Sequence, residues 1–525
     1  MKTANADKFL RGAMILTMAG LMVKVIGSVN RILLSRLLGG EGIGLYQMAY
    51  PVYLLLLAVS SAGIPIAISI IVAEKIAKND YYNVQRIFKI SLGLMTATGL
   101  VFAAFLFAAA HWLIDCGIIS DSRAYYGLVA LTPAVFFSTI LACFRGYFQG
   151  HQLMTPPAVS QILEQLVRVM TMVILAYVLL PYGLEYAAAG AAFGAVPGGL
   201  MGLVVLSCFY IKYRKRWQAQ YSVAVNAQRD SVGSIVKRLV LLALPVSCAN
   251  IMVPVSSSID MLLVPNRLIA SGYAVDEATK LFGYLAGMAQ PLLMMATIPT
   301  LSLAASLVPA VSEAYTLQDR AGIERRSGTA MKLCCLLTLP AAAGMSALAE
   351  PISLLLYGTA KAATAIMHSG PAIWFLGMHQ ITTGVLQGMG RINIPMLNML
   401  LGIGAKIAAV WALTNAANNI AGAAWATNIN FGLAALLNIL VLRYFKIYFN
   451  WLVIAKIAAC AVMMGAGVKY AYPVIAVCLG SKALAVLAVL VLAAGLYGAL
   501  LIITGIINKD ELRQLPLIKK LRRNN

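Results

Sequence analysis

Residues 132–150 read TPAVFFSTILACFRGYFQG, and residues 370–388 read GPAIWFLGMHQITTGVLQG. Thr132-Pro133-Ala134 recurs as Gly370-Pro371-Ala372, and Gly146, Gln149 and Gly150 recur as Gly384, Gln387 and Gly388, all displaced by 238 residues. Moving outward, the same displacement carries Pro157 onto Pro395 and the cation Arg168 onto the cation Lys406. Ala49 and Pro51 match Ala289 and Pro291 at a displacement of 240. Chance supplies two or three such matches between apolar segments, but not this many in one register with a charge among them. The chain therefore carries an internal repeat, which decides its architecture.

Both quoted stretches are apolar, and so is most of what surrounds them. Hydrophobic residues make up 61% of the 525 and charged residues only 11%, against roughly 25% in a soluble domain. Water cannot solvate such a surface, so the natural solvent is a bilayer. A helix crosses the hydrocarbon core with about 20 mostly apolar residues, and the chain offers about fourteen such runs. The reading is an all-α polytopic membrane protein of about fourteen helices. It predicts a first six-helix lobe over 1–211, a cytoplasmic linker over 212–236, a second six-helix lobe over 237–445, and two extra helices with a basic tail over 446–525. Six is even, so both copies start from the same side. Two lobes related by an axis along the membrane normal, with a central cavity and alternating access by rocking, are expected.

The net charge of +22 would suggest nucleic acid in a soluble protein. Here the cations fall in alternate loops: Lys2, Lys8 and Arg11; Lys75, Lys78, Arg86 and Lys89; Lys212, Arg214, Lys215, Arg216, Arg229, Lys237 and Arg238; Arg320, Arg325, Arg326 and Lys332; and the tail from Lys509 to Arg523. That asymmetry is a topology signal. It places both termini in the cytoplasm, with anionic lipid headgroups against the tail. Nucleic acid is not an expected partner. Eight scattered cysteines and four distant histidines make no metal-ligand pattern, and no cofactor is expected. With no small-residue cleavage site after a short apolar core, the first span is expected to be retained.

Ionisable residues inside spans are functional candidates by default. The first span carries Lys24, Asn30 and Arg31; Gly20, Lys24, Gly27 and Arg31 share one helix face. That face lines a wet cavity, or its cations are neutralised by carboxylates on a neighbouring helix. The fifth span carries Glu164 and Arg168, spaced to pair on one face. Lys406 repeats Arg168 with Gly402 in place of the acid, which suggests that the positive charge itself is wanted. Asp260 in the seventh span either binds a coupling ion or balances the cations. Phe144 to Gly150 reads as a short aromatic cytoplasmic loop placing Arg145 where a headgroup would enter, or as an interfacial anchor. Gly39 to Gly44 reads as a tight turn; it lacks the Lys and the preceding strand of a phosphate loop.

The residues from Arg36 to Tyr46, with Gly63 to Ser69 and Val72-Ala73-Glu74, resemble the stage V sporulation protein B type of polysaccharide transporter. So does the run from Phe144 to Gly150 continued by Pro156, Pro157, Ser160, Gln161, Glu164, Gln165 and Arg168. That group belongs to the multidrug/oligosaccharidyl-lipid/polysaccharide exporter superfamily, alongside the lipid II flippases, and the resemblance covers essentially the whole chain. It implies a V-shaped two-lobe flippase whose cationic cavity takes an undecaprenyl-pyrophosphate-linked saccharide, driven by a coupling cation or the membrane potential. Cell-wall synthesis enzymes are the partners it implies. Lipid II flippases have cavity cations in span one. Lys24 aligns with one of these; Asn30 stands where a second is expected, with Arg31 beside it, and span two has no cation in its middle.

Other functions fit less well. A cation-coupled drug exporter of the same superfamily needs acids to dominate its cavity, whereas Lys24, Arg31, Arg168 and Lys406 outnumber Glu164 and Asp260. A membrane glycosyltransferase needs a catalytic arrangement, and the outer-loop acids Asp115, Asp121, Asp276 and Glu277 lack one. No enzymatic activity is expected. A non-transporting scaffold for cell-wall assembly remains as the alternative that only a transport assay separates.

Overall fold

The structure is a computed structural model that describes residues 2–61, 63–221 and 230–506. Arg229 and the tail cations Lys509, Arg513, Lys519, Lys520, Arg522 and Arg523 lie outside the described residues, as do the side chains of Lys2, Lys8, Arg11, Lys215 and Arg216. Every regular element among the described residues is helical. The chain divides into two compact units, Met1–Gly287 and Met288–Asn525.

In the first unit lie α1 (Lys2–Ser61), α2 (Ile64–Ala77), α3 (Tyr81–Asp115), α4 (Tyr125–Gly150), α5 (Thr155–Leu179), α6 (Leu184–Phe193), α7 (Ala195–Tyr221), α8 (Val232–Asn250), α9 (Met252–Ala270) and α10 (Val275–Phe282). The second unit holds α11 (Gln290–Ala296), α12 (Ile298–Thr316), α13 (Arg320–Ala347), α14 (Ala349–Tyr357), α15 (Ala363–Gly388), α16 (Asn393–Leu413), α17 (Asn419–Tyr444), α18 (Trp451–Leu479) and α19 (Lys482–Ile503).

Among the described residues, ten to eleven stretches are long and apolar enough to cross a membrane. The expected fourteen runs do not map one to one onto continuous helices. The first stretch, Met14–Ala77, has 64 residues. At 1.5 Å per residue that is about 96 Å, three times a hydrocarbon core of about 30 Å, so it holds more than one crossing. Within α1 the break is Gly39, with φ 65° and ψ −170°, a backbone state that glycine alone adopts cheaply. The turn expected over Gly39 to Gly44 is thus confined to Gly39. Gly40, Gly42 and Gly44 are helical and buried.

The repeat seen in the sequence is a repeat of structure. Helices α4 and α15 have 26 residues each, and their bounds differ by 238 at both ends. Asp80 caps α3 by accepting from Asn83 N at 3.2 Å, and Asp319 caps α13 by accepting from Gly322 N at 2.8 Å. Burial opposes ionisation of Asp80, but the side-chain bonds from Asn83 and Lys75 hold its carboxyl below the usual range. The preceding residues, Asn79 and Gln318, are both left-handed, at φ 55° and 56°.

The contact between helices is repeated too. A Cβ on Gly146 would lie 2.6 Å from Pro65 O on α2, and one on Gly384 would lie 2.9 Å from Ala304 O on α12. One on Gly150 would meet Val72, and one on Gly388 would meet Val311. Apolar side chains gain little from leaving lipid, so membrane helices associate through close packing at small residues. These glycines let α4 touch α2 and α15 touch α12 at backbone distance. Gly146→Val is therefore expected to destabilise the protein by roughly 1–3 kcal/mol, read as a lower unfolding temperature of the purified protein in detergent. Gly93→Val, where an added Cβ meets nothing within 4 Å, is the control.

The same packing corrects the reading of Phe144 to Gly150 as a loop. These residues are the last two turns of α4, and Phe144, Gly146, Tyr147, Phe148 and Gly150 are buried. Glycine there is a packing device, not a helix breaker. Phe88 on α3 closes the cluster, with its ring centroid 4.3 Å from that of Tyr147 and 5.0 Å from that of Tyr210 on α7.

Candidate functional site

Helices α1, α4 and α5 bring most of the sequence candidates together within the first unit. Glu164 and Arg168 lie one turn apart on α5, and Arg168 Nη2 donates to Glu164 Oε1 at 2.5 Å. Arg145, near the end of α4, donates through Nη2 to Glu164 Oε2, also at 2.5 Å. One carboxylate therefore holds two guanidinium groups, one on each oxygen. The side chains are 20%, 13% and 16% exposed for Arg145, Glu164 and Arg168. An acid shared in this way leaves the trio with a net charge of +1. The i,i+4 half of the arrangement was visible in the sequence. The Arg145 half was not, because it joins two helices.

Helix α1 packs along α5. A Cβ on Gly27 would lie 3.2 Å from Gln165 Nε2, and Asn30 Nδ2 lies 3.3 Å from Met172 Sδ. The glycine face of α1 is thus turned to the helix that carries Glu164 and Arg168. Asn30 is buried, Arg31 is half-buried and Lys24 is exposed.

Among the described residues Arg31 pairs with no carboxylate. Its Nη1 donates to Gln47 Oε1 at 2.7 Å, and Gln47 Nε2 donates to Ala286 O at 2.7 Å. Its guanidinium stands 5.4 Å from the ring centroid of Tyr46 and 5.2 Å from that of Tyr50, within cation–π range. Among the described residues Lys24 takes part in no ion pair. Of the two obvious intramembrane acids, Glu164 is committed to Arg145 and Arg168. Asp260 is buried on α9, 2% exposed.

Tyr46, Tyr50 and Tyr53 were missed by the sequence reading. Their spacing of four and three puts them on one face of α1 beyond its break. Tyr46 and Tyr50 stack at 5.2 Å, and Tyr50 and Tyr53 follow at 5.8 Å. Tyr53 Oη lies 3.2 Å from Ser138 Oγ on α4. A tyrosine face therefore runs from Arg31 to α4, the helix that carries Arg145. The helical spacing was there to be read, but only the fold shows which cations the face meets.

Lys406 belongs to α16 in the second unit and is 1% exposed. A Cβ on Gly402, one turn before it, would lie 2.6 Å from Asn430 O on α17, so the glycine that replaces the acid also lets these helices close. No group of three or more His, Cys, Asp or Glu among the described residues could hold a metal ion.

The family described as polysaccharide biosynthesis protein matches residues 9–315. Stage V sporulation protein B of Bacillus subtilis (strain 168) is 32% identical over 521 residues, 98% of this chain and 98% of that protein. The chain belongs to the polysaccharide biosynthesis protein family. Another relative is the lipid II flippase MurJ of Bacillus subtilis (strain 168), 25% identical over 420 residues, 77% of this chain and 76% of that one. Among solved structures, lipid II flippase MurJ in an inward closed conformation shares the fold, with a TM-score of 0.69 over 93% of this chain and 98% of that chain, at 14% identity. This polysaccharide biosynthesis family member is a multi-pass membrane protein, and its kinship is with flippases and transporters, not catalysts.

Proposed function

We propose that this protein flips an undecaprenyl-pyrophosphate-linked saccharide across the bacterial inner membrane by alternating access, with Lys24, Asn30, Arg31, Arg145 and Arg168 receiving the pyrophosphate, Glu164 tempering the charge of its two arginines so that the cargo can leave, and Lys406 assisting. The observation that carries the reading is the charge of the α1–α4–α5 face. Arg31 and Lys24 add to the +1 of the trio, for a net +3. A diphosphate carries about two negative charges, and even one charge at the bilayer centre costs a few kcal/mol or more. A cargo of that kind needs cations along its path. Arginine can grip phosphate oxygens in pairs, while lysine acts as a point charge. A cationic drug would meet repulsion on the same face. The name of the relative lipid II flippase MurJ supports a lipid-linked saccharide as the class of cargo. A coupling cation, with Asp260 as its candidate ligand, or the membrane potential would drive the cycle.

The decisive experiment is translocation of a fluorescent undecaprenyl-pyrophosphate sugar in proteoliposomes. Protein-dependent loss of external label is the expected result, and rates equal to empty liposomes would overturn the proposal and favour a scaffold. The orientation is tested separately. Both termini and the 212–236 linker are expected in the cytoplasm, from the alternation of Lys and Arg. Reporter fusions after Asn525 and inside the linker should therefore be active only as cytoplasmic reporters, and an external signal from either contradicts it.

A further inference from the structure

Two grooves flank the N-terminal half of α13 in the second unit. One, of about 480 Å³, lies against the start of α18 and is lined by Glu324, Arg325, Lys332, Phe449, Val453 and Ile454 among others. The other, of about 340 Å³, lies against α12 and is lined by Leu303, Leu307, Arg325, Arg326 and Leu333 among others. Arg325 and Thr329 line both. They form the ridge between the grooves.

The neighbouring cations are engaged with protein. Arg326 donates to Ala310 O and pairs with Glu313 at 3.2 Å, and Arg320 donates to Lys446 O at 3.1 Å. Arg325 is different: it is exposed on the ridge, and its guanidinium has no hydrogen-bonded or ion-paired partner among the described residues. The depth of the site is marked by aromatics. Tyr448, which lines the larger groove, and Trp451, at the start of α18, are 53% and 49% exposed, as in the belts that sit at headgroup level. Below the ridge the linings turn apolar, and Leu333 and Leu337 are exposed along the continuing helix.

We propose that this double groove binds a glycerophospholipid carrying one net negative charge, its phosphodiester held at Arg325 with Lys332 and Thr329 alongside, and one acyl chain in each groove. Basic pockets between transmembrane helices at a membrane face take anionic headgroups, and the two grooves, of about 480 and 340 Å³, lie on either side of Arg325. The charge balance selects the class. Arg325 and Lys332 against Glu324 leave a single positive charge at the mouth, which matches one phosphodiester and underbalances a diphosphate. The site is thus distinct from the one proposed for the cargo, and its occupant is a resident lipid.

Gly328 supplies the test. It lines the larger groove, and an added Cβ there meets nothing within 4 Å. Gly328→Leu puts a bulky side chain into the larger groove and replaces a helix-interior glycine with a better helix former, so the fold is kept. Retained lipid would be measured by native mass spectrometry of the full-length protein from nanodiscs of phosphatidylglycerol, phosphatidylcholine or phosphatidylethanolamine with matched chains. Phosphatidylglycerol should be retained about fivefold over the zwitterionic lipids, the increment of one cation at the surface. Arg325→Ala should bring the three lipids to parity, and Gly328→Leu should lower retention of all of them. Equal retention of the three lipids by the wild type, an unchanged preference in Arg325→Ala, or full retention in Gly328→Leu would each overturn the proposal. Displacement of the lipid by excess inorganic phosphate would also overturn it, by making this a free-phosphate site.

Discussion

Glu164→Gln is expected to lower stability by several kcal/mol and to slow transport while tightening cargo binding. The carboxylate takes one guanidinium on each oxygen, at 2.5 Å in both cases, and all three side chains are largely shielded from water. Removing the acid leaves two arginines facing each other without compensation, and breaking a buried ionic group by deleting one member costs roughly 3–5 kcal/mol. Thermal unfolding of the purified protein measures that loss. If the trio receives a pyrophosphate, the same change raises the positive charge offered to it, so the cargo binds more tightly and leaves more slowly. A triple change, Arg145→Met with Glu164→Met and Arg168→Met, separates the two roles. Buried ion clusters replaced by apolar residues of similar size are often as stable as before. The triple variant should therefore fold and fail to flip. A triple variant that flips at the wild-type rate would reduce the trio to a structural clasp between α4 and α5.

The second large effect is expected on α1. Lys24→Ala should abolish flipping with normal expression and unfolding temperature, because Lys24 is exposed and no ion pair among the described residues depends on it. Arg31→Ala should also abolish flipping, at a modest cost in stability. It removes the 2.7 Å bond to Gln47 and the contacts with the Tyr46 and Tyr50 rings, and a cation–π contact contributes about 0.5–2 kcal/mol. Arg31→Lys keeps the charge but loses the planar fork, so partial activity should remain. Lys361→Ala, in a connection between helices, should leave the rate unchanged. If purified Lys24→Ala and Arg31→Ala flip the labelled lipid as fast as the wild type, the cationic-path mechanism is wrong.

Much of this protein could be read without coordinates. Composition alone demands a bilayer and hence helices, because a chain in lipid must satisfy its backbone polar groups internally. The register of Gly146 with Gly384 and of Arg168 with Lys406 exposes the duplication, because both copies close the same helix contact at the same small residues. Lys24, Arg31, Glu164 and Arg168 stand out because a charge in an apolar run is costly and rare, so it is visible wherever it falls.

What the sequence by itself could determine was therefore whatever is periodic or expensive: helices, the repeat, and the charges inside spans. Partnership was decided only by the tertiary structure. Arg145 is separated from Glu164 by a turn between two helices, and no spacing rule links them; they meet because α4 and α5 leave that turn at an angle that keeps the two long side chains within reach of each other. Gln47, not a carboxylate, receives Arg31, because the backbone break at Gly39 folds the second half of α1 back toward the first. Glycine marks either a break or a close contact, and a sequence does not say which. At Gly39 it is a break; at Gly146, buried against α2, it is a contact. The difference lies in what stands opposite each residue, and that is a property of packing.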